Sequence, residues 1–434
     1  MKQLTRLFIP ICLETLFYML SGMVDTLMLS AVGDYAVGAV GTANSYIGIF
    51  IIMFSIISSG MVSVMTQNIG AGRPGVAYQA RQLGLLFNAV AGVLMAAFLF
   101  SGAGAILRMV GIADALYEPA LIYLKIVGGG CILNAVIPIF SSYLRAFGYT
   151  KQPLYATIVG NIANFVMNAV FLFVLHKGVA GVATATVISK ILNLCIVLYF
   201  SHKLISAKNS TERIANKTVL GQIVKVGLPS ACETALYNVA MMLVIRFLNQ
   251  MDAEGLNVTA RSYTATISNF SYCVGAALAQ ANAIMTGWHI GAGKLEECDR
   301  GTKRAAFVGV CVAVCMETAI VLGSGFIMPL FTDNPEMTAL VRKLLAIDIV
   351  LEIGRVTNLV FGQALKTSGD AVFPAVIAAV FMFVFAVGGT WLFGISMGLM
   401  AVGAYIGLAS DECVRAVGMV WRWKTGKWRT KKLV

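Results

Sequence analysis

Pro10-Ile11-Cys12-Leu13-Glu14-Thr15-Leu16-Phe17-Tyr18 and Pro229-Ser230-Ala231-Cys232-Glu233-Thr234-Ala235-Leu236-Tyr237 carry the same Pro, Glu, Thr and Tyr at one spacing. Ile69-Gly70-Ala71-Gly72-Arg73 is echoed by Ile290-Gly291-Ala292-Gly293-Lys294. Leu144-Arg145-x-x-Gly148-x-x-x-x-Pro153 is echoed by Leu365-Lys366-x-x-Gly369-x-x-x-x-Pro374. The offsets are 219, 221 and 221 in a chain of 434 residues, so the protein is a tandem duplication. Everything between these marks is strongly apolar. An apolar repeat that opens each half with a Pro and an acid in its first helix points to a transporter built from two helical bundles.

Composition places the chain in a membrane. Hydrophobic residues make up 59% and charged residues only 12%, with a mean hydropathy of +0.83. A water-soluble domain needs roughly a quarter of its residues charged. Each half holds six apolar runs of roughly 20 to 28 residues, long enough to cross a hydrocarbon core of ~30 Å as helices. The expected fold is an all-α polytopic membrane protein of twelve transmembrane helices in two six-helix repeats. The N-lobe spans 1–200, a linker 201–223, the C-lobe 224–421 and a basic tail 422–434. Span one is expected over 7–31 and span seven over 224–249. Six is an even number, so both halves start on the same side and the repeats are parallel.

The net charge of +12 is not a nucleic-acid footprint. Of the 32 basic residues, 22 fall at the termini, in the linker and in every second loop. That asymmetry sets topology, with both termini cytoplasmic. The nine cysteines lie mostly inside spans without metal-ligand spacing. Three histidines without pairing, and no Gly-x-Ser-x-Gly, argue against an intramembrane enzyme.

The polar residues inside the spans carry the functional reading. A carboxylate at mid-bilayer costs roughly 2.5–3.5 kcal/mol on insertion scales, so each one needs a reason. Glu14, Asp25, Glu233, Glu317, Asp348, Glu352, Asp411 and Glu412 all fall inside spans. Glu352 has Arg355 three residues on along its helix face, and Asp411 or Glu412 has Arg415, so these acids read equally as structural pairs. Asp25 has no basic residue in its own span. Span five offers Asn161, Asn164 and Asn168, and span six Thr184 and Thr186. A carboxylate among such groups holds a proton or supplies the charge of an oxygen cage for Na⁺. The amides alone would serve as interhelical glue. Pro10 and Pro229, placed in the first turns of spans one and seven, are either hinges or ordinary helix starts. Glu233 and Glu352 are both candidates for a substrate or second proton site; Arg355 can neutralise Glu352, so Glu233, with no basic neighbour in its first two turns beyond Lys225, is expected to be the acid more available to a cation.

With these residues assembled, the chain resembles the multidrug and toxic compound extrusion (MATE) family of the flippase-like superfamily. The marks are Pro10…Glu14…Val24-Asp25-Thr26, the two Ile-Gly-Ala-Gly-basic closes, and Leu144-Arg145-Ala146-Phe147-Gly148…Pro153. Gly178-Val179-Ala180-Gly181-Val182-Ala183-Thr184-Ala185-Thr186 and Ala364-Leu365-Lys366-x-x-Gly369-Asp370 complete the set. The resemblance implies two lobes in a V and export of amphiphilic, often cationic compounds by alternating access, driven by inward H⁺ or Na⁺. It carries Asp25, Asn164 and Thr186 over to the cation site; were the ion Na⁺, its oxygen ligands would come from Asp25, Asn164 and Asn168. Asn168 stands where many relatives have a second Asp, and Tyr237 where others have a Glu, so the coupling ion stays open. No cofactor beyond that ion is implied. The expected setting is a monomer in the bacterial inner membrane, in contact with membrane lipid and small organic cations and not with nucleic acid. The alternative is a flippase for lipid-linked oligosaccharide. Its pyrophosphate would want several deep cations, where the spans offer Lys190, Arg246, Arg261, Arg355 and Arg415.

Overall fold

The computed structural model describes residues 2–110, 112–205, 212–252 and 255–434, and every regular element among them is helical. The first half comprises α1 (Lys2–Ser30), α2 (Asp34–Gly70), α3 (Pro74–Val110), α4 (Asp114–Gly129), α5 (Cys131–Ala146), α6 (Lys151–Ala169) and α7 (Gly178–Leu204). The second comprises α8 (Asn216–Met251), α9 (Leu256–Gly291), α10 (Leu295–Ile327), α11 (Pro335–Ser368), α12 (Val372–Phe381) and α13 (Met400–Lys424). With α4 and α5 taken as one bent span, these described helices make twelve passes. Hydropathy and length together recognise only eight, or nine with the bent pair. The three they miss, α9, α11 and α13, are long enough but too polar, and they carry most of the buried charge of the second half.

The chain packs as two units, Ile9–Gly227 and Met1–Phe8 with Leu228–Val434. Each has its own apolar core. Ala39, Ala43, Leu99, Leu107, Leu124 and Cys131 are fully buried in the first, and Val244, Leu248, Val341, Leu344 and Ala404 in the second. α1 starts at Lys2 and α8 at Asn216, earlier than the apolar runs suggest. The helices continue past the hydrocarbon because their backbone bonds close internally whatever the side chains are. Pro10 and Pro229 are therefore well inside their helices, which corrects their placement in the first turns and removes the helix-start reading. Each lacks the N–H that would reach the carbonyl four residues back, on Arg6 or Lys225. Each also follows by one or two residues the point where its helix passes from one unit to the other.

The region read as linker is short, since α7 ends at Leu204 and α8 begins at Asn216; residues 206–211 lie outside the described ones. Gln79 of α3 holds its end, donating to the Ile214 carbonyl at 2.7 Å and accepting from the Ile214 N–H. In the first unit α2 and the start of α8 touch backbone to backbone. A Cβ on Gly60 would lie 2.0 Å from the Ile223 oxygen, and one on Gly227 1.8 Å from the Ile56 oxygen. Only glycine allows that approach. The C-terminal segment is packed rather than free: Trp423 and Trp428 stack at 4.2 Å, the Trp423 indole donates to Asp299, and Leu433 is buried. Between α8 and α9, Asp252 accepts from the Leu256 N–H at 2.8 Å and the Asn257 N–H at 3.0 Å. Desolvation works against it, but bonds from Asn257, Leu256 and Gly255 hold its carboxyl below the usual range.

The duplication is visible in the irregularities. α6 ends in a π-turn at Val170–Val174, and α12 runs into two, Met382–Val387 and Thr390–Ser396. His176 and Gly178 take positive φ after the first, Gly398 and Met400 after the second. Here the offset is 222 rather than 221. A π-turn absorbs one extra residue in a helix, and the additional turn at Met382–Val387 lies where the offset grows by one.

Candidate functional site

In the first unit the Asn168 amide, fully buried, donates to the Asp25 carboxylate at 2.8 Å and to the Asn164 oxygen at 3.1 Å. The i, i+4 spacing of the two asparagines puts both amides on one face of α6, directed at α1. The structure thus brings Asp25, Asn164 and Asn168 together. Thr186 stands one step away. Its hydroxyl donates to the Val182 carbonyl, and it also meets the hydroxyl of Tyr123, which bonds Asn44 as well. Asn161 is glue, donating to the Phe17 carbonyl at 2.9 Å, and Thr184 returns its hydroxyl to its own helix.

Sequence reasoning missed Tyr123, Asn44 and Asn134, three isolated polar residues on three different helices. It also left Asp25 without a cation. Lys190 of α7 is close enough to act electrostatically on Asp25 while donating to Asn134 at 2.8 Å. The break between α4 and α5, bent by 41° at Gly130, lies one turn before Asn134. Consecutive glycines at 128–130 explain the kink.

The second unit encloses a cavity of about 460 Å³. Its polar wall includes Glu233, Asp348, Asp411 and Glu412 with Arg261, Arg355, Lys366 and Arg415; Met241, Leu351, Met382 and Leu408 supply apolar surface. Most charges are committed. Arg355 contacts Glu352 and lies 3.7 Å from Glu412, while Arg415 reaches Asp411 at 2.7 Å and Glu412 at 2.8 Å. Glu233 is 2.7 Å from Lys366, which corrects the premise that it lacks a basic partner. The partner comes from another helix, so spacing along α8 could not reveal it. One signal could have done so. Glu14 pairs with Arg145 at 2.6 Å in the first unit, and these four residues are the duplicated acids and the duplicated bases of the repeat marks.

The sequence model of the MatE family matches residues 10–170 and 229–392, one copy in each half. The chain is 33% identical to the uncharacterised transporter YisQ of Bacillus subtilis over 97% of its own length and 94% of the relative's. It is 21% identical to a probable multidrug resistance protein, NorM, of Thermotoga maritima, over its full length and 94% of that protein. Among solved structures, a multidrug resistance MATE transporter of the MOP superfamily in an outward-facing conformation superposes with a TM-score of 0.85 at 21% identity. That match covers 98% of this chain and 96% of the other. Two copies of the family model on a duplicated, all-helical, multi-pass membrane chain make it a member of the MatE family of multidrug and toxic compound extrusion transporters.

Proposed function

We propose that the protein is a secondary antiporter of the bacterial inner membrane that exports amphiphilic organic cations in exchange for H⁺ or Na⁺, with both termini cytoplasmic. The observation that carries this reading is Asp25, a carboxylate inside α1 held by Asn168, which is held in turn by Asn164. The Asn168 carbonyl is buried without a hydrogen-bond partner. Asp25 and the two amide oxygens form a set that accepts either a proton on the carboxylate or a small hard cation among the oxygens.

A ligand biases a two-state transporter only through its different affinity for the two states. Asp25 is fifteen residues beyond Pro10, the point where α1 lacks a backbone bond. Neutralising Asp25 releases α1 from its electrostatic tie to α6 and α7, and Pro10 gives the helix a place to bend; Pro229 offers α8 the same freedom. One monovalent substrate exchanged for one H⁺ or Na⁺ moves no net charge, so such exchange is driven by concentration gradients rather than by membrane potential.

The cavity of the second unit supports amphiphilic cargo through its methionines, leucines and tyrosines. Asp348 is the lining acid with no ion pair among the described residues. A pyrophosphate-lipid cargo fits less well, because Arg355, Lys366 and Arg415 are all engaged by carboxylates. The test is uptake of a cationic dye into inverted proteoliposomes, with pH and Na⁺ gradients imposed separately. One gradient should drive uptake in the wild type, and neither should in Asp25→Asn. Gradient-driven uptake at wild-type rate by the variant would refute the assignment.

A further inference from the structure

One end of the first unit is closed where the second has a pocket. Gln79 of α3 is buried and bonded to Ile214, just ahead of α8, and to Asn216, where α8 begins. By the 221-residue offset, its place in the second unit belongs to Arg300 of α10, and the place of Leu83 to Arg304. No described residue fills the space beside them. A pocket of about 320 Å³ lies there, between the beginning of α1, the end of α9 and the first turns of α10. Arg300 and Arg304 line it with His289, Glu297, Met285 and Leu4.

The charges around this pocket leave a positive excess. Each of the three acids in the first turns of α10 is engaged. Glu296 meets Arg429 at 2.8 Å, and Asp299 meets Lys303 at 2.7 Å. Glu297 lies 3.6 Å from Lys294 and 3.8 Å from His289. Arg300 and Arg304 have no ion pair or hydrogen bond among the described residues. Their i, i+4 spacing puts both on one face of α10. Guanidinium groups match phosphate oxygens in a fork of parallel hydrogen bonds, so two of them one turn apart favour a phosphate.

The same face of α10 indicates what carries that phosphate. Phe307, Cys311, Cys315 and Leu322 continue it, and all four are exposed. In a spanning helix such a face lies against acyl chains, and the arginines stand where it gives way to the headgroup layer. Arginines that merely snorkel to the interface need no pocket beside them. Basic pockets between spanning helices on the cytoplasmic side suit phospholipid headgroups.

We propose that this pocket binds the phosphate of an anionic phospholipid, with Arg300 and Arg304 on the phosphate oxygens and the acyl chains along the exposed face of α10. The headgroup takes the part that Ile214 and Asn216 play in the first unit, and it fastens the beginning of α1 to α9 and α10. The site depends on the proposed topology only for which leaflet supplies the lipid, and on no part of the transport reading.

The experiment is native mass spectrometry of the purified, delipidated protein in detergent, reading the affinity for the first molecule bound. Phosphatidylglycerol, phosphatidylcholine and glycerol 3-phosphate are the probes. Phosphatidylglycerol should bind the wild type most tightly, and the double variant Arg300→Gln, Arg304→Gln should bind it about tenfold more weakly. Lys303→Gln removes a base already paired with Asp299, so it should leave the affinity unchanged. An unchanged affinity in the double variant, or an equal loss in Lys303→Gln, would overturn the proposal. Glycerol 3-phosphate binding as tightly as phosphatidylglycerol would give the site to a soluble phosphate ester and refute the lipid source. Equally tight phosphatidylcholine would refute the need for an anionic lipid. Both arginines are exposed, so the double variant should fold. Should it not, Arg304→Gln alone decides by the same comparison. Phosphatidylglycerol should also raise the unfolding midpoint of the wild type more than that of the double variant, and equal shifts would count against the site. None of these measurements involves transport, so they stand whatever Asp25→Asn does to gradient-driven uptake.

Discussion

The two units share one ion pair between equivalent positions and differ in the charged groups around it. Glu14–Arg145 in the first recurs as Glu233–Lys366 in the second, acid on acid and base on base. Lys190–Asn134 recurs as Glu412–Arg355, with the polarity of the contact reversed. By the same count Asp25 corresponds to Val244 and Asn168 to Thr390, so the amide-held carboxylate of the first unit is absent from the second. Conversely Glu317 and Asp348 correspond to Ala96 and Val127. α4 and α5 are bent at Gly130, while their counterpart α11 runs unbroken from Pro335 to Ser368 with Leu351 in the glycine's place. Duplication has kept the Glu–base pair, a tie between the first and fourth spans of each half. The titratable groups around it are what diverged.

The sharpest way to break this comparison is at the non-equivalent positions. Asp25→Asn should reduce gradient-driven export to background in a well-folded protein, whereas Val244→Ala, its counterpart in the second unit, should leave the coupling ratio unchanged in the same vesicle assay. Equal losses would mean that the units are functionally alike.

The conserved pair predicts the reverse pattern, a loss of stability common to both units. Glu14→Gln and Glu233→Gln each strand a half-buried base, for which breaking a buried pair costs about 3–5 kcal/mol. Their exposure places these two at the lower end of that range. Denaturant titration in detergent should show both, and Glu233→Lys with Lys366→Glu should recover most of what either single change loses. A silent Glu233→Gln that still selects against cations would restore the reading of Glu233 as a substrate acid.

The crossing of α2 and α8 is next in size. Gly227→Ala places a methyl on the Ile56 carbonyl, and overpacking of this kind costs about 1–3 kcal/mol. The unfolding midpoint should fall, with Gly221→Ala, where a Cβ meets open space, as the control. The smallest effect belongs to Asp252→Ala, which removes the carboxylate at the start of α9, about 1 kcal/mol for a cap. Because its carboxyl is held low in the folded protein, this contribution is complete above the unfolded pKa and lost as pH falls through the folded one. Wild type and variant should therefore converge in stability under strongly acidic conditions.

The fold was legible in the sequence because duplication and hydropathy are both written along the chain. The site was half legible. Asn164 and Asn168 announce a shared helix face by their spacing, and Asp25 stands out as an acid without a local base. Tyr123, Lys190 and Lys366 complete their sites from other helices, which no spacing along one helix can show. The extent of α1 and α8 was misjudged for a related reason. Hydropathy reports where lipid ends, and a helix need not end there.

The change of unit at Ile9 and at Leu228 has a consequence for how such a chain can be cut. Severed between α7 and α8, the first fragment lacks Asn216–Gly227, which its own unit contains, and the second lacks the opening stretch through Phe8. Neither fragment holds all the residues of its own unit, so the two halves of the chain, cut there, should associate less well than halves cut at the unit boundaries.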